Sequence, residues 1–354
     1  MNQQALLARG LTRGRTLPSE RLGATAGSDV RVDRVTRLSR TAAVAGVVLV
    51  LVAATLPAWG ESSTMRDFVE LACTFVFAMM WNLLAGYGGM VSIGQQAFFG
   101  LGGYGMLVLA DGAGVNPFVA IVLAALASAA IAWPLSWLAF RLQGGYFAIG
   151  TWVIAEVLRL SVANVSAVGG GSGTSLTALA GLSKAARESI TYWMALGCVV
   201  ATVAGVYLFL RSKQGLALMA IRDNETAAES QGIAVGRMKL VVYLVAAGGA
   251  ALAGGLYFVS TLRISPDAAF SVNWTAFAIF MVVIGGIGRI EGPIVGTLVF
   301  FFLNKAFSAY GTWYLMGLGL LAIVVTLFFK QGLWGWIQQR HGWVLFPTQR
   351  RLRH

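Results

Sequence analysis

Charge is what this chain has least of. Only 11% of its 354 residues are Asp, Glu, Lys or Arg, while 57% are hydrophobic; an ordinary soluble domain carries roughly 25% charged residues. A water-soluble fold cannot hide so much apolar surface, so the composition excludes one. Cysteine and histidine are nearly missing as well. Cys73 and Cys198 are the two cysteines, both within apolar runs, where a small hydrophobe is their usual role, so neither a disulfide nor a metal centre is expected. His341 and His354 are the two histidines and both fall near the C-terminus, which leaves none at membrane depth to relay protons. No G-x-x-x-x-G-K-[ST] string occurs, so the chain has no Walker-type nucleotide site of its own. Gly100, Gly102 and Gly105 satisfy G-x-G-x-x-G, but that fingerprint has meaning only between a strand and a helix, and here it sits inside an apolar stretch.

What the chain has in abundance is long apolar runs. A bilayer-spanning helix needs about 20 consecutive apolar residues, and such runs recur from Thr41 to Phe329. Stretches such as 115–140 and 194–210 are apolar on every face, unlike the roughly 10-residue alternating segments of a membrane barrel. The fold class is therefore all-α, a polytopic transmembrane helical bundle. Spans are placed near 41–59, 67–85, 92–110, 115–140, 145–163, 190–210, 239–262, 270–288, 292–307 and 312–329, which makes ten, or nine if one pair merges. Positively charged loops stay cytoplasmic. With the N-terminus inside, 20 of the 26 Lys and Arg fall on the inner side, and the opposite orientation inverts that ratio, so both termini are expected in the cytoplasm. Residues 1–40 carry eight Arg and three acids and read as a disordered basic tail; 331–354 reads as a second basic tail. The net charge of +12 resides largely in these tails, which speaks for a membrane surface and against nucleic acid.

Two connections exceed a turn: an outer one from Asn164 to Ser189 and an inner one spanning 211–238. In the inner one, Asp223 and Asn224 precede Glu225, Ala227, Ala228 and Glu229, and Gly232 follows. Cap residues, an acid in the first turn and a closing Gly specify a short helix. Such a helix is either a solvated surface element or a handle for a soluble partner.

The string Ala220-Ile221-Arg222-Asp223-Asn224-Glu225, continuing to Ala227-Ala228-Glu229 and Gly232-Ile233, resembles the ATPase-docking loop of ABC importer permeases. The similarity is to the permeases for branched-chain amino acids and their urea and amide relatives. Asn82-Leu83-Leu84-Ala85-Gly86-Tyr87, followed by Ser92-Ile93-Gly94-Gln95-Gln96 and on to Tyr104, resembles a second region of that family. Gly144 to Thr151 with Glu156 and Arg159 resembles a third, and Val283 to Pro293 a fourth. Similarity runs from about residue 65 to 330, although Gln95 and Gln96 stand where other members often have His and Ala. The resemblance implies a permease domain over 41–330 in a bacterial plasma membrane, forming half of a translocation pore for branched-chain or other amino acids. It implies as partners a second, related permease subunit, two cytoplasmic ATPases that carry the ATP and Mg, and an extracytoplasmic binding protein. This chain is then no enzyme and binds no cofactor itself. Arg222, Asp223, Asn224, Glu225, Ala227, Ala228, Glu229 and Gly232 become the coupling segment, and the Gly-rich run 169–174 faces the binding protein.

Polar groups at membrane depth are costly and usually face the bundle interior or a pore. Asn82, Ser92, Gln95, Gln96, Tyr104, Tyr146, Thr151 and Asn273, together with Thr275, either line a substrate path or bridge helices. Gly86, Gly94, Gly285, Gly286, Gly288 and Gly292 permit close approach or a break in a helix, and Pro293 argues for a helix end near its position. Glu156 and Arg159 share a helix face and neutralise each other. Two rival classes lack residues. An ion-coupled secondary transporter normally buries relays of Asp, Glu or His, and Glu156 is nearly alone at depth. A membrane enzyme needs a catalytic constellation, and none is visible.

Overall fold

The computed structural model describes residues 31–33, 37–307, 310–329, 331–347 and 351–353. Most of the expected N-terminal tail lies outside them. Two units are distinguished. In the terminal unit, β1 (Arg31–Asp33) pairs antiparallel with β4 (Arg351–Arg353). The larger unit, 35–348, is helical.

Its helices run in chain order as α1 (Arg37–Trp59), α2 (Ser62–Asn82), α3 (Gln96–Leu107), α4 (Pro117–Ala139), α5 (Gly145–Ala163), α6 (Lys184–Arg211) and α7 (Lys213–Asp223). They continue as α8 (Glu225–Ser230), α9 (Val235–Thr261), α10 (Pro266–Ala269), α11 (Val272–Gly285), α12 (Glu291–Phe307), α13 (Thr312–Phe328) and α14 (Gly332–His341). Among the described residues, 8 helices are long and apolar enough to cross a membrane. Each of the ten expected spans coincides with a helix, but the helices at two of them, α3 and α12, are not among those eight. α12 has 17 residues and α3 has 12, continued by a π-helical stretch Val108–Gly112; at 1.5 Å per residue the helical segment 96–112 is roughly 25 Å long, against a hydrocarbon core of about 30 Å. The segment 92–110 is thus a correction to a full span: its first residues are not helical, and α3 starts inside the bundle.

Packing follows from composition. A helix that is hydrophobic all round must be buried all round, and α2, with its π-helical extension Leu83–Tyr87, is enclosed on every side from Ala72 onward. Beside it α3 and α9 meet backbone to backbone. A Cβ added at Gly102 would overlap the Ala251 carbonyl, and one at Gly254 would overlap the backbone of Phe99. Small residues of this kind let membrane helices approach closely. Phe99 then anchors an aromatic cluster, stacked on Trp274 at 4.3 Å and edge-on to Phe77 at 5.4 Å. At the other extreme, α1 and α13 leave most of their length uncovered, as lipid-facing helices do.

The bundle has two chemically distinct ends. At one, Arg66 pairs with Glu188, Lys305 with Asp67, and Arg159 with both Glu156 and Asp267. Here too β2 (Thr174–Ser175) pairs with β3 (Arg263–Ile264), and Asp111 accepts from the amides of Thr177 and Ala178. At the other lie Arg222, paired with Asp223, and Lys239, paired with Glu225. The Lys and Arg of these pairs divide between the two ends as the charge count divides them.

Candidate functional site

The end that the charge count places in the cytoplasm carries the segment singled out by sequence. α7 ends where Asn224 turns extended, and the Asn224 side chain caps α8 by accepting from the Ala227 amide at 2.9 Å. Gly232, at a φ of 82°, stops the chain from continuing as helix, as a closing Gly should. Ala228 is buried against Ile221 and Val235; Asp223, Glu225, Ala227 and Glu229 all face outward. α8 is therefore a short, rigid, capped knuckle with an open polar face. α7 was not anticipated, although Leu218 and Ile221 at i and i+3 were the available signal.

Arg222 joins this knuckle to the membrane helices. Its Nη1 donates to the Gly86 carbonyl at 3.1 Å while Nε and Nη2 hold Asp223. Gly86 belongs to the π-helical extension of α2, and a side chain there would collide with the backbone of Gly288. Gly288 in turn lies in the break between α11 and α12, where Gly286 and Gly288 take φ values of 128° and 73°. Asn82 fastens this junction: it donates to the Arg289 carbonyl at 2.9 Å and accepts from the Gly288 amide at 2.9 Å. Arg289 reaches on to Gln331. Gly285, Gly292 and Gly296 let α12 fold back along α11, and Pro293 sits in the first turn of α12, where its missing amide costs nothing. The helix end expected at Pro293 falls a few residues before it.

A second cluster lies at the start of α3. The Thr151 hydroxyl of α5 accepts from the Ile93 amide at 3.2 Å, the Ser92 hydroxyl accepts from Gly94, and the Ser92 carbonyl accepts from the Trp81 indole at 2.8 Å. Gly94 is pressed against the Thr151 backbone. Gln95 donates to the Ala246 carbonyl at 2.9 Å, while its Oε1 has no hydrogen-bond partner. Thr275 donates to the Gln96 side chain at 2.5 Å and accepts from the Gln96 amide at 3.2 Å. The first amides of α3 are thus met by protein groups, which satisfies donors that a helix start otherwise leaves open.

The remaining path candidates lie elsewhere. Tyr104 is buried against Phe270 with its hydroxyl unpartnered. Asn273 is exposed near the outer start of α11, and Tyr146, 76% exposed, stands on the first turn of α5. Sequence reasoning did not find Asp267 as a partner of Arg159; the contact spans 108 residues at 2.5 Å. Among the described residues no cluster of His, Cys, Asp or Glu could hold a metal ion.

Comparison with known proteins now gives this arrangement a context. Residues 66–329 match the family described as branched-chain amino acid transport system / permease component. The high-affinity branched-chain amino acid transport system permease protein LivM of Salmonella typhimurium is 27% identical over 76% of this chain and 70% of its own length. LivM of Escherichia coli is 26% identical over 81% of this chain and 73% of itself. The ribose import permease RbsC of Escherichia coli is 29% identical over 31% of this chain and 35% of itself. No solved structure matches the chain. With the family match covering nearly all of the helical bundle, including the capped knuckle and the glycine junction, the chain belongs to the branched-chain amino acid transport system permease family.

Proposed function

We propose that this chain is the permease subunit that forms half of the translocation pore of an ATP-driven importer for branched-chain or other amino acids. Its partners on this reading are a second, related permease, two cytoplasmic ATPases and an extracytoplasmic binding protein. The observation that carries it is the contact from Arg222 to Gly86. A partner changes a conformational equilibrium only if it grips the two states differently. α8 offers an ATPase an exposed grip, and Arg222, three residues before α8 begins, reaches the crossing of Gly86 with Gly288 in the break between α11 and α12. A movement of the knuckle is therefore delivered to the junction where the end of α2 meets the break between α11 and α12.

The face of α5 supports the pore assignment. Tyr146, Ile149, Val153 and Leu160 leave a stripe uncovered on the helix that also holds Glu156 and Arg159. A lipid-facing helix has no use for such a charged pair, so this stripe is assigned to the wall shared with the second permease. The substrate assignment rests on the LivM relatives over most of the chain. Similarity to the ribose permease is confined to about a third of the chain and supports a shared mechanism rather than a shared cargo.

The test is affinity purification of the tagged chain in mild detergent, with mass spectrometry of its partners and an ATPase assay on the complex. Co-purifying ATPases whose turnover rises with a leucine-loaded binding protein are the expected result. A chain that transports alone, without any ATPase, would overturn the reading in favour of a secondary transporter.

A further inference from the structure

From Gly292 to the C-terminus the sequence contains no Asp or Glu, yet it carries Lys305, Lys330, Arg340, Arg350, Arg351 and Arg353. Within this acid-free stretch only three residues separate the end of α13 from α14, so α14 starts close to the end of that helix. It lies across the inner ends of α11 and α12. Gly332 packs on the Gly286 backbone, and Arg289 holds Gln331 at the start of α14 by two hydrogen bonds, the shorter 2.7 Å. The following loop is held as well, since Glu291 accepts from the amides of Leu345 and Phe346.

That anchoring fixes one face inward and leaves another open. Gly332, Trp334 and Gly335 are buried, whereas Trp336 is 43% exposed, Trp343 47% exposed, and Arg340 and His341 are exposed between them. The open residues form a connected patch: the Arg340 guanidinium lies 5.5 Å from the centre of the Trp336 ring, and His341 lies 5.2 Å from Trp343. Indole rings at the end of a span belong at the headgroup level of a bilayer. Basic residues beside them attract anionic lipid at about 1 kcal/mol each.

We propose that the outward face of α14 and its following loop is a docking surface for the anionic phospholipid headgroups of the adjoining leaflet. Arg340 supplies the charge, His341 a hydrogen-bonding edge, and Trp336 and Trp343 the wedge between headgroup and acyl chain. Charge complementarity selects this occupant, because an anionic surface meets no repelling carboxylate here: Glu291, the acid nearest in sequence, is turned inward onto two backbone amides.

The experiment is native mass spectrometry of the detergent-purified full-length chain, titrated with phosphatidylglycerol or with phosphatidylcholine of the same acyl chains. The wild-type chain retains phosphatidylglycerol preferentially, and Arg340→Gln weakens that preference about fivefold, which is one lost surface charge at about 1 kcal/mol. Arg340→Lys restores it, and His341→Gln with Trp343→Ala provides an independent weakening should Arg340→Gln fold poorly. Equal retention of the two lipids, or a preference untouched by all of these variants, would overturn the proposal. So would displacement of the lipid by inorganic phosphate alone, which identifies a free anion as the ligand, or an RNA oligonucleotide bound in place of lipid and lost in the same variants.

Discussion

Asn82 and Gly288 are hydrogen-bonded across 206 residues of sequence, the glycine amide donating to Oδ1 at 2.9 Å. The same buried side chain donates to the Arg289 carbonyl, so a single amide satisfies both sides of the break between α11 and α12. Asn82→Ala leaves a partly buried donor at Gly288 and a partly buried acceptor at Arg289 without partners, at about 1 kcal/mol for each group, the low end of the cost of an unmade bond. The expected outcome is a lower unfolding temperature in detergent, followed by tryptophan fluorescence, with transport reduced further than the loss of folded protein explains. Asn82→Asp keeps the acceptor for Gly288 but not the donor, and is expected to fall between Ala and wild type only if its carboxyl takes up a proton in place. An unfolding temperature unchanged in Asn82→Ala would mean that the junction is held by glycine packing alone.

Glycines in this chain separate sharply by what surrounds them. Gly254 faces the Phe99 backbone, whereas nothing lies within 4 Å of a Cβ placed on Gly197. Gly254→Ala forces α3 and α9 apart, and overpacking of this kind costs about 1–3 kcal/mol. Gly197→Ala removes chain entropy from an open helical position and is neutral or stabilising by up to about 1 kcal/mol. The comparison is read as monodisperse protein recovered by size-exclusion chromatography after a heat step. Equal recovery of the two variants would contradict the backbone contact between α3 and α9.

These contrasts show which parts of the fold are written locally. The α8 knuckle was legible because its determinants are adjacent: Asn224 caps, Glu225 begins and Gly232 closes. The ten apolar runs were legible because a bilayer demands length and hydrophobicity, which a sequence displays directly. The late start of α3 was not, because the run from Ser92 onward stays apolar through the break. Two bonds take the amides there: the tertiary one from Ile93 to Thr151 and a local turn in which Gly94 donates to the Ser92 hydroxyl. Of the polar path candidates, Asn82, Ser92, Gln95, Gln96 and Thr151 are engaged between helices, and only Tyr146 and Asn273 are exposed. Sequence correctly marked them as costly groups needing partners, but the partners are often carbonyls such as those of Ala246 and Arg289, which no residue type advertises. α14 was read as tail because a ten-residue helix, rich in glycine and tryptophan in its first half and polar in its second, has no membrane-length signal of its own.

Arg159 tests how much the outer ion cluster contributes. Its side chain is 26% exposed and that of its partner Asp267 is 78% exposed, so solvent screens the pair and an exposed bridge contributes about 0–1 kcal/mol. Asp267→Asn is therefore expected to shift the unfolding temperature little, and the shift should shrink as salt is raised. Arg159→Gln removes the partner of Glu156 as well and should cost more. If Asp267→Asn impairs delivery from the binding protein while stability holds, the cluster serves docking rather than folding; transport in proteoliposomes with purified binding protein separates the two.

Arg222 distinguishes coupling from stability most directly. Glu225→Arg or Glu229→Arg alters the outward face of α8 and is expected to weaken ATPase association, since each reverses a charge that the partner meets. Arg222→Gln leaves the residues of α8 itself unchanged and cuts the bond to the Gly86 carbonyl together with the pair to Asp223. If the knuckle acts through this bond, the assembled complex keeps its ATPases and hydrolyses ATP, but transport per ATP falls, by about tenfold for the loss of one charge-assisted hydrogen bond of roughly 1.5 kcal/mol. Arg222→Lys retains the charge but not the fork that holds Asp223 and Gly86 together, and should recover only part of the coupling. Transport and ATP hydrolysis measured in the same proteoliposomes decide the matter. If the ratio of the two stays at the wild-type value in Arg222→Gln, force reaches the membrane helices by another route, and the contact merely holds α7 in place.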